Sequence, residues 1–154
     1  MSSVEVHVLA SGSDGNCSVI CTEDTMIMLD AGISGRRIAN LMGRVGLDPC
    51  DLDAILLTHE HSDHVSGAGI MSRKYKIPIC CNRSTLTCSN IGAVHDTILF
   101  QTGTRFEIGC LSIDPLPISH NAADPNSFHV HYGDKNVLLA TDLGRVGTEV
   151  FTAL

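Results

Sequence analysis

The sequence contains no tryptophan, and aromatic residues make up only 4% of its 154 residues. Any hydrophobic core must therefore be built mainly from aliphatic side chains. Hydrophobic residues account for 44% of the chain and the mean hydropathy is +0.17, which is enough for a packed core and excludes a disordered chain. We expect one domain over residues 1–154.

Cysteine pairs of the Cys-x-x-Cys type are absent, although the chain has seven cysteines. The count is odd, and the spacing of Cys80, Cys81 and Cys88 fits no common zinc site. No apolar run approaches membrane-spanning length, and residues 1–3 lead into a strand pattern without a signal peptide. We therefore expect a cytoplasmic protein with reduced thiols and no membrane partner.

Positive charge is also scarce, since 10 Lys and Arg face 17 Asp and Glu for a net charge of -7. This balance gives no general attraction to nucleic acid or to an anionic membrane. Two bound divalent metal ions would add positive charge locally. Local positive charge comes from six residues: Arg36, Arg37, Arg44, Arg73, Lys74 and Lys76. They form either a track that binds phosphates or, as we favour, solvated helix faces.

The stretch from His59 to His64 concentrates potential metal ligands directly after the apolar run 54–57. If the chain stays extended from His59 to His61, both imidazoles lie on the same side, and Asp63 and His64 arrive from the following turn. Imidazole and carboxylate suit zinc, manganese or iron. A solvated polar loop is the alternative, but strand ends are where α/β folds place ligand sites.

Strand and helix patterns alternate around this stretch. Residues 4–9, 17–21 and 26–29 predict strands, and Ser34 to Val45 predicts a helix with one apolar face. The remaining predictions are helices at 65–76, 84–91 and 144–154, strands at 77–80, 97–100, 105–108, 111–118, 128–132 and 137–140, and a turn at 135–136. This order favours an α/β fold with a mixed sheet and helices outside it.

Three further strand ends carry ligand-type residues: Asp30, His120 and Asp142. Strand ends can converge on one sheet edge, so we interpret these residues and the histidine stretch as one constellation. Taken alone, Asp30 would favour a turn residue or an acid at the start of a helix over a functional residue.

Two other patterns are ambiguous. His129 and His131 have the His-x-His spacing of a metal pair, but no acid follows closely, so we favour histidines on the surface of a strand. The loop from Ser11 to Asn16 is either a phosphate cradle or an ordinary hairpin turn, and we favour the turn because it lacks the ending of a P-loop.

The motif His59-x-His61-x-Asp63-His64 resembles the signature of the metallo-β-lactamase superfamily, and Asp30, His120 and Asp142 follow the order of its other motifs. The resemblance spans nearly the whole chain and implies an αββα sandwich with a dinuclear metal centre at its rim. Three segments look like the YycJ-type branch of exonuclease-like and phosphodiesterase-like proteins: 10–16, 29–32 and 140–144.

The resemblance also implies roles for individual residues. One metal ion would be held by His59, His61 and His120, the other by Asp63 and His64, with Asp142 bridging them. Asp30 would orient the histidine loop from behind the ligands. Two divalent ions are expected, zinc first and manganese as the alternative. Candidate substrate-binding residues are Ser13, Asn16 and Asn121.

The implied function is a metal-dependent hydrolase, a phosphodiesterase or nuclease acting on nucleic acid or a small phosphodiester. A hydroxide between the metals would attack phosphorus, with Asp63 and Asp142 as candidate catalytic residues. The same centre would serve ester, thioester or lactone hydrolysis, and only the branch resemblance favours phosphodiesters. A metal-binding module without catalysis is the third hypothesis.

Two departures from the superfamily pattern lead to further expectations. Asn121 stands where an acid is expected, and the chain ends at Leu154 before a late histidine that would complete the second metal position. We therefore expect a domain truncated at its C-terminus, with a weak second metal position. We also expect an exposed apolar surface near residue 154, protected by self-association or leaving the chain marginally stable.

Overall fold

The computed structural model describes residues 3–153 of the chain. The first two residues, on which the absence of a signal peptide was partly judged, lie outside this range. Leu154, the end of the predicted terminal helix, also lies outside it. The described residues form two β-sheets packed face to face, with helices outside the first sheet.

The first sheet has six strands in chain order: β1 (Glu5–Ala10), β2 (Cys17–Cys21), β3 (Met26–Leu29), β4 (Ala54–Leu56), β5 (Ile79–Cys81) and β6 (Thr97–Leu99). The strands β1 to β3 pair antiparallel, whereas β3 to β6 pair parallel. The carboxyl ends of β3 to β6 therefore open on the same edge of the sheet, which is where the polar segments begin.

The second sheet is an antiparallel meander of β7 (Phe106–Ile108), β8 (Leu111–Pro117), β9 (Asn126–Tyr132) and β10 (Lys135–Leu139). The predicted turn at 135–136 is wrong, because Lys135 and Asn136 both pair with β9. The chain reverses instead at Gly133, whose φ of 59° is a conformation that glycine adopts without steric cost.

Five helices connect or flank the strands: α1 (Gly35–Arg44), α2 (Ser62–Val65), α3 (Ala68–Tyr75), α4 (Arg83–Cys88) and α5 (Thr148–Ala153). A short 3₁₀ turn covers Pro49–Asp51. As predicted, Ser34 caps α1, its hydroxyl accepting a hydrogen bond from the backbone N–H of Arg37 at 3.3 Å. No helix within residues 3–153 combines the length and apolar character needed to cross a membrane.

The helix predicted over 65–76 is divided in the structure into α2 and α3. The break falls at Gly67, where a Cβ atom would lie 2.1 Å from the carbonyl oxygen of Ile33. Only glycine allows this close approach of two backbone segments. The division separates the short ligand-bearing helix from the longer helix that packs on the sheet.

The core has two layers. Between the sheets, Ile27 and Leu56 of the first sheet pack with Ile113, Phe128 and Val130 of the second. On the other face of the first sheet, the core includes residues of α1 and α3: Ile38, Met42, Ala68 and Met71. The core is largely aliphatic, as the shortage of aromatic residues predicts, and burial of this surface is the main stabilising term.

The outer face of the second sheet differs from the apolar face expected from the sequence. The helix α5 packs on β8 and buries Val150, whereas Val146 and Phe151 are 49% and 71% exposed. Away from α5, the same face carries Asp114 and several other polar side chains. Exposed apolar side chains near residue 153 thus include Val146 and Phe151, and self-association through them stays a prediction.

Candidate metal centre

Two groups of ligand-type side chains meet where the strands of both sheets end. In the first group, one nitrogen from each of His59, His61 and His120 lies within 4.8 Å of the others. In the second group, the same limit holds for ligand atoms of His59, His64 and Asp142. The separate strand ends that the sequence analysis joined into one constellation are thus brought together.

The first group contains an unsatisfied buried nitrogen. His59 is fully buried, and its Nε2 atom has no hydrogen-bond partner among residues 3–153. His61 Nδ1 and His120 Nε2 lie 3.2 Å apart beside it. A buried nitrogen without a partner is costly, and a divalent metal ion in contact with three imidazoles would satisfy it. This donor set fits a metal ion.

The second group is built on His64, which lies in α2. His61 directly precedes this helix. Its Nε2 atom lies 2.5 Å from Asp142 Oδ2 and 3.4 Å from Asp63 Oδ2. Asp142 Oδ2 also lies 3.7 Å from His59 Nε2. Asp142 therefore stands between the two groups, in the position that the resemblance implies for a bridging ligand.

A buried hydrogen-bond network behind the ligands sets which ring nitrogens face the centre. Asp30 is buried and accepts hydrogen bonds from His64 Nδ1 at 2.6 Å and from the Thr58 backbone N–H at 2.8 Å. The Thr58 hydroxyl also donates to Asp30, at 2.8 Å, and lies 2.9 Å from His59 Nδ1. Because this hydroxyl donates to the carboxylate, it accepts the proton on His59 Nδ1. Both histidines thus present Nε2 to the centre.

The electrostatics of the centre favour a neutral His59. Burial, followed by repulsion from the neighbouring histidines, lowers the pKa of His59 to about 3. For His64, burial alone would lower the pKa, but the hydrogen bond and negative charge of Asp30 outweigh burial and raise it. Neutral imidazole is the form that binds metal, so His59 is ready to act as a ligand without losing a proton.

Both aspartates have an unusual backbone conformation. Asp30 has a φ of 59° and Asp142 a φ of 53°, in the left-handed region. Aspartate and asparagine enter this region more readily than most other residues. The chain reverses at Asp30, directly after β3, and at Asp142, shortly after β10. Each reversal lets the carboxylate lie over the end of its sheet.

Close backbone contacts hold the ligand loop in place. A Cβ atom on Gly32 would lie 1.6 Å from the carbonyl oxygen of Asp63, so only glycine fits there. The Asn16 N–H donates to that same carbonyl at 2.8 Å, and Gly32 N–H donates to Asn16 O at 2.8 Å. The segment after β3, the loop after β1 and α2 therefore interlock around the centre.

The predicted substrate-binding residues divide into two cases. Ser13 and Asn16 line an open cleft of about 440 Å³ whose other walls include Asp63 and Asp142. Asn121 is exposed and is not among the residues that line this cleft. The loop 11–16 therefore stands beside the centre, and a substrate-binding role for Asn121, the chain neighbour of His120, stays a prediction.

Two residues of the centre were missed by sequence reasoning. Thr58 orients His59 through the network described above. Glu60 accepts a hydrogen bond from the backbone N–H of Ala123 at 2.9 Å and so ties the loop before α2 to the loop that carries His120. The sequence signal is position alone, since Thr58 precedes the first histidine and Glu60 lies between His59 and His61. Their partners become apparent only in the folded chain.

Comparison with known proteins agrees with this geometry. The chain is 37% identical over 145 residues to the exodeoxyribonuclease WalJ of Streptococcus pneumoniae serotype 2 (strain D39 / NCTC 7466), covering 90% of this chain and 54% of that protein. The exodeoxyribonuclease YycJ of Bacillus anthracis is 35% identical over 143 residues, with the same coverage. The chain thus spans about half the length of the curated relatives it matches, and their names confirm the predicted branch.

Solved structures show the same fold. The metallo-beta-lactamase fold protein YhfI from Bacillus subtilis superposes with a TM-score of 0.73 at 20% identity, over 88% of this chain and 61% of that one. A metallo-beta-lactamase of Cronobacter sakazakii gives 0.74 at 16% identity, over 92% and 61%. The predicted mixed α/β sandwich is therefore confirmed. Residues 10–154 match the family model of the metallo-beta-lactamase superfamily, whose members bind divalent metal ions, and the chain belongs to that superfamily.

Proposed function

We propose that this chain carries the metal centre of a hydrolase that cleaves phosphodiester bonds in DNA from an end. The observation that carries the proposal is the unpartnered buried Nε2 of His59 at the meeting point of two ligand groups. The choice of DNA as the proposed substrate rests on the exodeoxyribonucleases to which the chain is similar. Their activity belongs to proteins of about twice this length.

The proposed ligands follow the two groups. His59, His61 and His120 would hold one ion, and Asp63, His64 and Asp142 the other, with Asp142 shared between them. When bound, the ions would supply Lewis acidity, which makes water ionise near neutral pH and stabilises charge on phosphoryl oxygens. We propose zinc at the first position, because three imidazoles suit it better than manganese.

The chain's own residues position these groups. Asp30 and Thr58 hold His64 and His59 with Nε2 towards the centre, so neither ring needs to turn over when an ion arrives. Asp63 is part of the cleft wall and can accept a proton from water there. Ser13 and Asn16 line the same cleft and carry hydrogen-bond donors that suit phosphate oxygens.

The charge distribution restricts the kind of DNA complex. The net charge of -7 gives no general attraction to DNA, and Arg73 is already engaged, donating to the carbonyls of Ile91 and Ala93 at 3.0 Å and 2.5 Å. The acidic balance and the engagement of Arg73 both argue against a long duplex track of many phosphate contacts. We propose a substrate held mainly at the centre, as a strand end.

The test combines metal content with hydrolysis. Wild-type protein should bind zinc and hydrolyse both bis-p-nitrophenyl phosphate and 5′- or 3′-labelled single-stranded DNA. The variant His61→Ala should lose metal and turnover together, whereas His95→Ala, which changes an exposed histidine elsewhere, should lose neither. Full metal content with normal hydrolysis in His61→Ala would refute the assignment.

The same experiment separates the alternative chemistries. Thioester and lactone substrates, tested beside the phosphodiesters, report whether the centre acts on carboxylic esters instead. Tight, stoichiometric metal with no hydrolysis of any substrate would show that this chain is a binding unit whose chemistry needs residues beyond it. Either result would overturn the phosphodiester proposal for the chain as studied.

A further inference from the structure

A second set of metal-ligand side chains lies on the outer face of the second sheet. Asp114 on β8 is directly opposite His129 on β9 in the antiparallel register. His131 follows two residues later on β9, so its side chain is on the same face as that of His129. The carboxylate that accompanies the two histidines is therefore supplied by the neighbouring strand.

The three side chains are close enough to share one ion. One ligand atom from each of Asp114, His129 and His131 lies within 4.8 Å of the other two. His131 Nε2 is 2.9 Å from Asp114 Oδ2, and the two imidazole rings are 4.1 Å apart between centroids. The side-chain amide oxygen of Asn136 on β10 lies 3.2 Å from His129 Nε2. All three ligands are half-buried, so they are partly ordered yet reachable from solvent.

Arg105 is the competing partner of this cluster. Its Nε and Nη2 atoms donate to the two oxygens of Asp114, each at 2.7 Å. This pairing, opposed by slight burial and helped by His131, lowers the pKa of Asp114 to about 2, so the carboxylate is ionised at neutral pH. The Arg105 side chain is 58% exposed and can withdraw into water when a cation takes its place.

We propose that Asp114, His129 and His131 form a binding site for a divalent transition-metal ion, separate from the hydrolytic centre. Two imidazoles and one carboxylate suit zinc, nickel or copper, whereas magnesium and calcium prefer oxygen ligands alone. The site shares no residue with the hydrolytic centre, and its existence does not depend on the proposed activity.

An ion at this site would join β8 to β9. The connection between these two strands, residues 118–125, carries His120 of the hydrolytic centre. A metal bond across the strand pair would therefore stiffen the base of the loop that presents His120. Because the ion binds only the folded register, it should also raise the thermal stability of the chain.

The test counts zinc ions and identifies their ligands on the 154-residue chain. Wild-type protein is titrated with Zn²⁺ against a chelating dye, and histidine ring nitrogens are followed by NMR. The double variant His129→Gln, His131→Gln should bind one equivalent fewer than wild type. The control variant His95→Gln should bind the same number as wild type. In wild type, zinc should shift the ring resonances of His129 and His131.

A second variant keeps the test decisive if the double variant folds poorly. Arg105→Gln retains all three ligands and removes the competing cation, so this site should bind zinc up to about fivefold more tightly. Equal zinc stoichiometry in wild type and the double variant would overturn the proposal. Ring resonances of His129 and His131 that stay unchanged with zinc, together with no effect of Arg105→Gln on affinity, would overturn it equally.

Discussion

Replacing Thr58 by valine removes one hydroxyl from the network behind the metal ligands while keeping the shape of the side chain. The hydroxyl contacts Asp30 Oδ2 at 2.8 Å and His59 Nδ1 at 2.9 Å, and both partners are buried. The variant leaves the His59 Nδ1–H without a partner, which costs about 1–3 kcal/mol. The backbone N–H of Thr58 and His64 still hold Asp30.

The loss of this hydroxyl should also weaken metal binding. Groups that orient a ligating histidine typically contribute 10- to 100-fold to metal affinity. We therefore expect Thr58→Val to weaken zinc binding by about 10- to 100-fold, which is about 1.4–2.8 kcal/mol. A competition titration with a chelating dye measures the affinity, and urea unfolding in EDTA measures the free energy of unfolding separately.

The matched control is Thr85→Val. Thr85 is also fully buried, but its hydroxyl has no hydrogen-bond partner among residues 3–153. Its replacement should leave zinc affinity unchanged and stability equal or slightly higher. Thr58→Ser retains a hydroxyl and should recover most of the affinity. Zinc affinity in Thr58→Val within twofold of that in Thr85→Val would refute the proposed role of the hydroxyl.

Three further predictions follow from the structure. Gly32→Ala should destabilise the chain by more than about 3 kcal/mol in urea unfolding, because its Cβ would lie 1.6 Å from Asp63 O. Burial, and then the charge of Asp30, raises the pKa of the Cys17 thiol to about 12, so its thiolate fraction at pH 8 is roughly 10⁻⁴. Raising the pH to about 10 should not make this buried thiol accessible. Alkylation at pH 8, followed by mass spectrometry, should therefore modify only the exposed thiols among the seven: Cys50, Cys88 and Cys110. Binding of single-stranded DNA should fall only shallowly with salt, with a log–log slope below about 3 in magnitude, because the chain has a net charge of -7 and Arg73 is engaged by backbone carbonyls; a slope above about 5 would contradict this.

The grouping of the candidate ligands could be predicted because their sequence signal is local. His59 directly follows an apolar run, and an apolar run that ends in polar residues marks the end of a buried strand. Parallel pairing of β3 and β4 then brings Asp30 beside Thr58, since Leu29 is opposite Leu56. Both the residue types and the strand ends can be predicted from the sequence. The grouping of these residues at one edge of the sheet can therefore be predicted as well.

Other features could not be predicted because they depend on contacts between distant segments. Asp114 belongs with His129 only through the register of β8 and β9, which no local pattern specifies. The break at Gly67 depends on the approach of Ile33, and the sequence shows only a helix with a glycine in it. The turn at Gly133 was misplaced because Gly133, Asp134 and Asn136 are all turn formers, and only strand pairing selects among them.

The left-handed backbone at Asp30 and Asp142 makes two separate demands on each position. In a saturation-mutagenesis library, alanine would remove the carboxylate and add about 1 kcal/mol of backbone cost, so its phenotype would mix two causes. Asparagine tolerates the same conformation and changes only the charge, whereas glycine relieves the backbone and removes the ligand. Asp142→Gly should therefore yield a protein that unfolds at higher urea concentration yet retains less zinc. At this position, selection for stability and selection for metal binding favour different amino acids.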